Sequence, residues 1–163
     1  MSRVREVAPE VDAGPLLSGA QFVDAFRIDV AGDALDARQA AQRMMGRSPR
    51  WVEALLTLRH MLVAPFGLKT SGNSENPPRE TIGLFPILIQ TPDRLVAGFN
   101  DKHLDFRVVV DVTASGPESE AGQQVTATTL VKTHNLFGRL YLATILPFHR
   151  LIVPAMLRKV AVR

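Results

Sequence analysis

The side chains here best suited to chemistry lie in the second half of the chain. His103 and His134 end two alternating runs, HLDFRVVVDVT and QVTATTLVKTH. If these runs pair antiparallel with Phe106 opposite Val131, the two histidines stand side by side, near Asn100 and Asn135. Two imidazoles so placed suit a metal or an acid–base site. They equally suit a polar strand end on an outer face, and with no carboxylate as third ligand that simpler reading is preferred. In the same register Asp105 faces Lys132, and Val112 faces Val125. With Arg107 nearby, Asp105 and Lys132 read as a charged site or, more commonly, as a solvated cross-strand ion pair worth roughly 0–1 kcal/mol.

His149 and Arg150 interrupt the apolar stretch LPFHRLIVPAML. An arginine in a cavity would hold a ligand carboxylate or phosphate through two parallel bonds. Arg139 and Arg150 are eleven residues apart, three helical turns, so they also read as one solvent stripe. His149 lies off that stripe and is the better candidate to face a cavity. Tyr141 and Trp51 are the lone tyrosine and tryptophan. Each would line a pocket or, more commonly, fill core. Gly98, within a strand, marks a sheet bend, a bulge or a close approach. The sequence holds no GxGxxG, Walker loop, GxSxG or HExxH, and no serine in a strand–helix elbow from which to build a triad. No catalytic residue is assigned, and no metal or cofactor is expected.

These side chains need elements to hold them. Pro9, Gly14, Pro15 and Gly19 break residues 1–19 into a lead-in tail with little regular structure. Ala20–Val30 alternates as a first strand. Two short helices follow. Asp36 caps the first with Gln39 at capping-box spacing, Ala37, Ala40, Ala41, Met44 and Met45 share its apolar face, and Gly46 ends it. Ser48 and Pro49 open the second, whose apolar face runs from Trp51 to Val63. A polar loop, Lys69 to Glu80, precedes a meander. Pro86 puts GLFPILIQT at an edge or bulge. RLVAGFN follows, and Asp101–Lys102 serves as a two-residue hairpin loop. In HLDFRVVVDVT, Leu104, Phe106, Val108, Val110 and Val112 face one way, and His103, Asp105, Arg107, Asp111 and Thr113 the other.

From Phe137 onward the apolar residues fall at helical spacing and cover nearly all sides. By length this helix suits lipid. Arg150 near its middle would cost roughly 2.5–3.5 kcal/mol there, and Pro147 and Pro154 interrupt its hydrogen bonds. Burial against a curled antiparallel sheet is the better expectation, as a kinked helix or two short ones.

The order is strand, two helices, antiparallel meander and long apolar C-terminal helix. It resembles the helix-grip fold of the START-like (SRPBCC) superfamily, in which a curved sheet wraps the last helix and leaves a hydrophobic cavity. The stretches PRWVEALLTLRHMLVAPFGLK, IGLFPIL, DKHLDFRVVVDV and THNLFGRLYLATILPFHRLIV are similar to a bacterial family of unassigned function, domain-of-unknown-function family 2867. The similarity spans roughly Gly19 to Lys159. It implies an α+β fold and names no reaction. Some relatives join this unit to nucleotide-binding reductase domains. The superfamily includes lipid carriers, cyclases and dehydratases, so the fold alone cannot choose a function.

Composition narrows the classes. The chain has 163 residues, 46% of them hydrophobic and 21% charged, enough for one ordinary core. Its 19 Lys and Arg against 16 Asp and Glu give a net charge of +3 with no long basic run, so no nucleic-acid partner is expected. Cysteine is absent, which excludes disulfides and thiolate chemistry. With no apolar run of signal-peptide length near Met1, a cytoplasmic place is expected. Residues 20–163 are expected to form one helix-grip domain after the 1–19 tail. It would bind a small apolar or amphipathic molecule without stable membrane insertion. Phe99, Phe106, Val108 and Thr129 would line the cavity from the sheet, and Tyr141, Ile145 and His149 from the last helix. The alternatives are a cyclase- or dehydratase-like enzyme using His149 or Tyr141, and an interaction or membrane-surface module that releases its C-terminal helix.

Overall fold

Alternating apolar runs and one long greasy segment produce an α+β architecture: a curved antiparallel sheet and a long C-terminal helix. A computed structural model describes residues 3–32, 34–46, 50, 80–83, 85–117, 119–120 and 122–162. The expected helix opened by Ser48 and Pro49, with Trp51, and nearly all of the polar loop after it lie outside the described residues.

Among the described residues seven strands, β1 (Arg5–Val7), β2 (Phe22–Val30), β3 (Thr81–Ile82), β4 (Phe85–Gln90), β5 (Arg94–Asn100), β6 (Leu104–Ala114) and β7 (Gln123–Thr133), pair in the order β1-β2-β7-β6-β5-β4-β3. Every pairing is antiparallel. The register of β6 with β7 is the expected one: Phe106 opposite Val131, Val112 opposite Val125, Asp105 opposite Lys132. Apolar side chains meet across that seam, and a one-residue slip would turn each to the other face. A register shift between Ile87 and Ile89 follows Pro86 in β4, where a residue without an N–H is tolerated. The expected loop between β5 and β6 is displaced by one residue. Asn100 pairs with Asp105 and the Asp101 N–H donates to the Leu104 carbonyl, so Lys102 and His103 form the turn.

One face of the sheet, the inner face, carries Phe26, Ile28, Val30, Leu95, Ala97, Val108, Val110, Val112, Val125 and Ala127. Helix α2 (Ala37–Met45) packs there through Ala37, Ala40, Ala41, Met44 and Met45. Its capping box forms as the sequence predicts: the Asp36 carboxylate accepts from the Gln39 N–H, and the Gln39 side chain accepts from the Asp36 N–H. Each large apolar side chain sealed in this layer, such as Ile28 or Leu95, contributes about 1.5–3 kcal/mol.

The outer face is not bare. The segment expected to be an irregular tail forms β1 against β2 and a one-turn helix, α1 (Ala13–Leu16). Asp12 caps that turn by accepting from the Gly14 N–H. Pro15 is tolerated because a first-turn N–H has no helical partner. Leu17 is buried with Val96, Val109 and Leu130, so the outward side of the sheet holds a second, smaller apolar cluster.

Helix α3 (Leu136–Arg158) crosses the inner face over β2 and β7 and ends in a 3-10 turn, Lys159–Ala161. Asn135 caps it through the Gly138 N–H. Gly138 is required by close approach: a Cβ there would lie 2.2 Å from the His103 carbonyl oxygen. Both prolines sit within this single helix. The carbonyls they leave without a helical partner belong to Ala143 and Arg150, both exposed to water. The expectation of burial on most sides is corrected. Val153 and Leu157 enter the core, whereas Leu136, Leu140, Phe148 and Leu151 are exposed. A sheet covers one side of a helical cylinder, and nearly all-round apolarity exceeds what that side can bury.

Candidate functional site

Strand pairing arranges the inner face in rows. One row runs Phe22, Val131, Phe106, Phe99 across β2, β7, β6 and β5. The next runs Asp24, Thr129, Val108, Ala97, Ile87. The four sheet residues singled out by sequence therefore share this face in two adjacent rows. Phe99 and Phe106 touch, with ring centroids 5.7 Å apart, and Phe85 joins them at 6.0 and 5.2 Å. All three rings are only half-buried. Val108 and Thr129 are buried more deeply.

From α3, Tyr141, Ile145 and His149 follow at four-residue spacing, the first two half-buried. His149 reaches β2. Its Nε2 lies 2.9 and 3.1 Å from the two Asp24 carboxylate oxygens, and Phe22 packs edge-on to the ring at 5.9 Å. The side chains retain only 15% and 10% of their accessibility. A carboxylate only accepts, so Nε2 carries the hydrogen, and in the neutral ring Nδ1 keeps the lone pair. Nδ1 can then accept from a hydroxyl or amide hydrogen, or take up a proton. Asp24 locks the tautomer and the ring orientation, the geometric part of what a carboxylate does behind a catalytic histidine.

Asp24, Phe22 and Phe85 were not singled out by the sequence. Asp24 had a legible signal. In FVDAFRIDV the inner-face positions are Phe22, Asp24, Phe26, Ile28 and Val30, and one acid in that series needs a partner.

The histidines at the strand ends belong to a different corner. The His134 N–H donates to the His103 carbonyl, so the two are neighbours. Their rings diverge. His134 Nε2 lies 3.0 Å from Asp105, and His103 Nδ1 accepts from the Asn135 side chain while its ring rests on Phe137 at 4.6 Å. Asp105 thus pairs with His134 and not with Lys132, although Lys132 is opposite it in register. Arg107 donates to the Phe99 and Phe106 carbonyls and to Asn100. Burial lowers its pKa from the ordinary arginine value, against the pull of Asp105. Among the described residues no group of three or more His, Asp or Glu side chains could hold a metal ion. This corner joins α3 to the sheet through the Asn135 cap and the Gly138 approach. Gly98 likewise marks a close approach of backbone, since a Cβ there would lie 2.1 Å from the Phe106 carbonyl oxygen.

The family model described as Protein of unknown function (DUF2867) matches residues 16–156, and the chain belongs to that family. No curated protein and no solved structure matches it.

Proposed function

We propose that this DUF2867 member is a small-molecule binding protein of the START-like (SRPBCC) helix-grip type, taking an apolar or amphipathic ligand between the inner sheet face and α3. The first long strand lies beside the last, the meander extends from there, and the terminal helix crosses their inner face. That order supports the helix-grip assignment. The half-buried Phe85, Phe99 and Phe106 supply apolar wall. Binding energy comes mainly from buried apolar area, at roughly 25 cal/mol per Å² before ordering costs.

The observation that carries this reading is the His149–Asp24 pair on a largely apolar face. Replacing a buried ionic or polar pair with packed hydrophobic residues is often neutral or stabilising, so stability alone gives little reason to keep one. A ligand with one polar end gives a reason: Nδ1 orients it while the phenylalanines bury the rest. A cytoplasmic setting belongs to the same proposal.

Anilinonaphthalene sulfonate, an apolar fluorescent anion, provides the test. Wild type should bind it saturably, and Phe106→Ala should weaken binding roughly tenfold or more, the equivalent of the side chain's burial. His149→Ala should weaken it less, because the probe gains mainly from apolar contact. Affinity unchanged by both substitutions would remove the site from the inner face.

The same pair supports a second reading, an enzyme of the cyclase or dehydratase kind with His149 as its acid–base group. That reading requires turnover to vanish in His149→Ala while ligand affinity largely survives.

A further inference from the structure

We infer that the outward side of α3 is a docking surface for an anionic lipid membrane. Leu136, Leu140 and Leu151 are 68%, 59% and 66% exposed and Phe148 is 44% exposed. Single exposed leucines are ordinary, but these follow the helical spacing. Together with Ala143 and Pro147, which are also exposed, they form one stripe about 22 Å long, at 1.5 Å of rise per residue. A contiguous apolar ridge of that kind marks an interaction surface.

Charge selects the occupant. From Leu136 to Ala161 there is no aspartate or glutamate, whereas Arg139, Arg150, Arg158 and Lys159 are all basic. Arg139 and Arg150 are exposed and lie along one margin of the stripe. A second copy packed on the same ridge about a two-fold axis would bring arginines together with no carboxylate on either helix. A lipid surface offers both complements, acyl chains for Leu and Phe and phosphates for Arg, the arrangement of helices that lie in the interface.

The helix is long and apolar enough to cross a bilayer, but its other side is engaged. Val153 and Leu157 are in the core, Gly138 abuts His103, and His149 holds Asp24. The contact is therefore peripheral, with α3 still on its sheet. It does not depend on whether the inner face takes a ligand.

Vesicle sedimentation tests this with the full chain. Binding is expected to vesicles of phosphatidylcholine with about one third phosphatidylglycerol, to weaken with salt, and to be far weaker to phosphatidylcholine alone. The exposed pair Leu140→Glu and Leu151→Glu should cut the partition coefficient about tenfold or more without lowering Tm. Arg139→Gln with Arg150→Gln should abolish the preference for anionic vesicles. Because the chain has no cysteine, Leu140→Cys carries a single polarity-sensitive dye, which should shift to the blue only when vesicles are added. No binding to the anionic vesicles would overturn the inference. So would binding indifferent to the glutamates, or a dye already shielded in the lipid-free monomer. Concentration-dependent dimerisation abolished by the glutamates would assign the ridge to a second copy instead.

Discussion

Removing the Asp24 carboxylate should cost far more than a typical surface substitution. Its two oxygens stand 3.1 and 2.9 Å from His149 Nε2, and both side chains are almost sealed from water. A hydrogen bond to a charged group contributes about 1.5–3 kcal/mol, and stranding its buried partner costs about 1–3 kcal/mol. Asp24→Ala should therefore destabilise the domain by about 3 kcal/mol, which for a chain of this size lowers Tm by about 6–12 °C. Asp24→Asn keeps one oxygen that can accept from Nε2 and should lose only about 1 kcal/mol. His149→Ala leaves a carboxylate among apolar neighbours and should cost as much as Asp24→Ala. The double variant loses the bond but strands neither group, so the two single losses should together exceed the double variant's loss by about 3 kcal/mol or more. Urea unfolding measures all four proteins, with an unchanged slope confirming that the unfolded state is not the source. Losses that add within about 0.5 kcal/mol would refute the pairing.

Four further outcomes follow from the geometry. Gly138→Ala drives a methyl into the His103 carbonyl, so α3 must lift from β6, with an expected loss of about 1–3 kcal/mol by chemical unfolding. Gly98→Ala meets the Phe106 carbonyl at 2.1 Å and has φ of 157°; it should broaden or shift the Phe99 and Phe106 ring resonances even if the chain folds. Asp36→Ala removes the side-chain acceptor for the Gln39 N–H, leaves the backbone bond from residue 36 to the Gln39 side chain, and should cost about 0.5–2 kcal/mol. The Arg5 guanidinium, first through its hydrogen bond, holds the Asp29 carboxyl below its ordinary value. That depressed pKa stabilises the fold above the ordinary carboxylate range, and the contribution is lost as pH falls through the folded-state pKa. Arg5→Ala should raise the Asp29 pKa in a carboxyl NMR titration and flatten that part of the acid limb.

How far the sequence was legible follows from what each element depends on. The β6–β7 register could be read because long-range pairing leaves a local trace: apolar positions match only in alignments that keep strand parity, and among these the chosen one sets Asp105 opposite Lys132. The α2 cap could be read because Asp36 and Gln39 interact over three residues. Residues before Gly19 read as tail because prolines and glycines punctuate them. Their order comes from elsewhere, from hydrogen bonds to the edge of β2 and from the apolar patch around Val109. The β5–β6 turn slipped by one residue because neither Asp101–Lys102 nor Lys102–His103 contains the glycine that would mark it.

The site was legible in half. Phe99, Phe106, Val108 and Thr129 fall on one face by simple alternation. His149 stood out as a polar interruption of a greasy helix. Its partner did not, because the Asp24 contact joins residues 125 positions apart, and only strand parity hinted at it. The expected depth of α3 failed for a different reason. Periodicity reports which sides of a helix are apolar, not how many sides the fold can cover. Here the surplus became the Leu136–Leu151 ridge.

Fluorine NMR of the protein labelled with fluorophenylalanine tests the inner-face site most directly. Each of the eight phenylalanines is assigned by Phe→Leu substitution and followed as anilinonaphthalene sulfonate is added. Phe85, Phe99 and Phe106 should shift together and saturate at one concentration, with Phe148 unmoved. Movement of Phe148 alone, with the three inner rings silent, would contradict a ligand site between the sheet and α3.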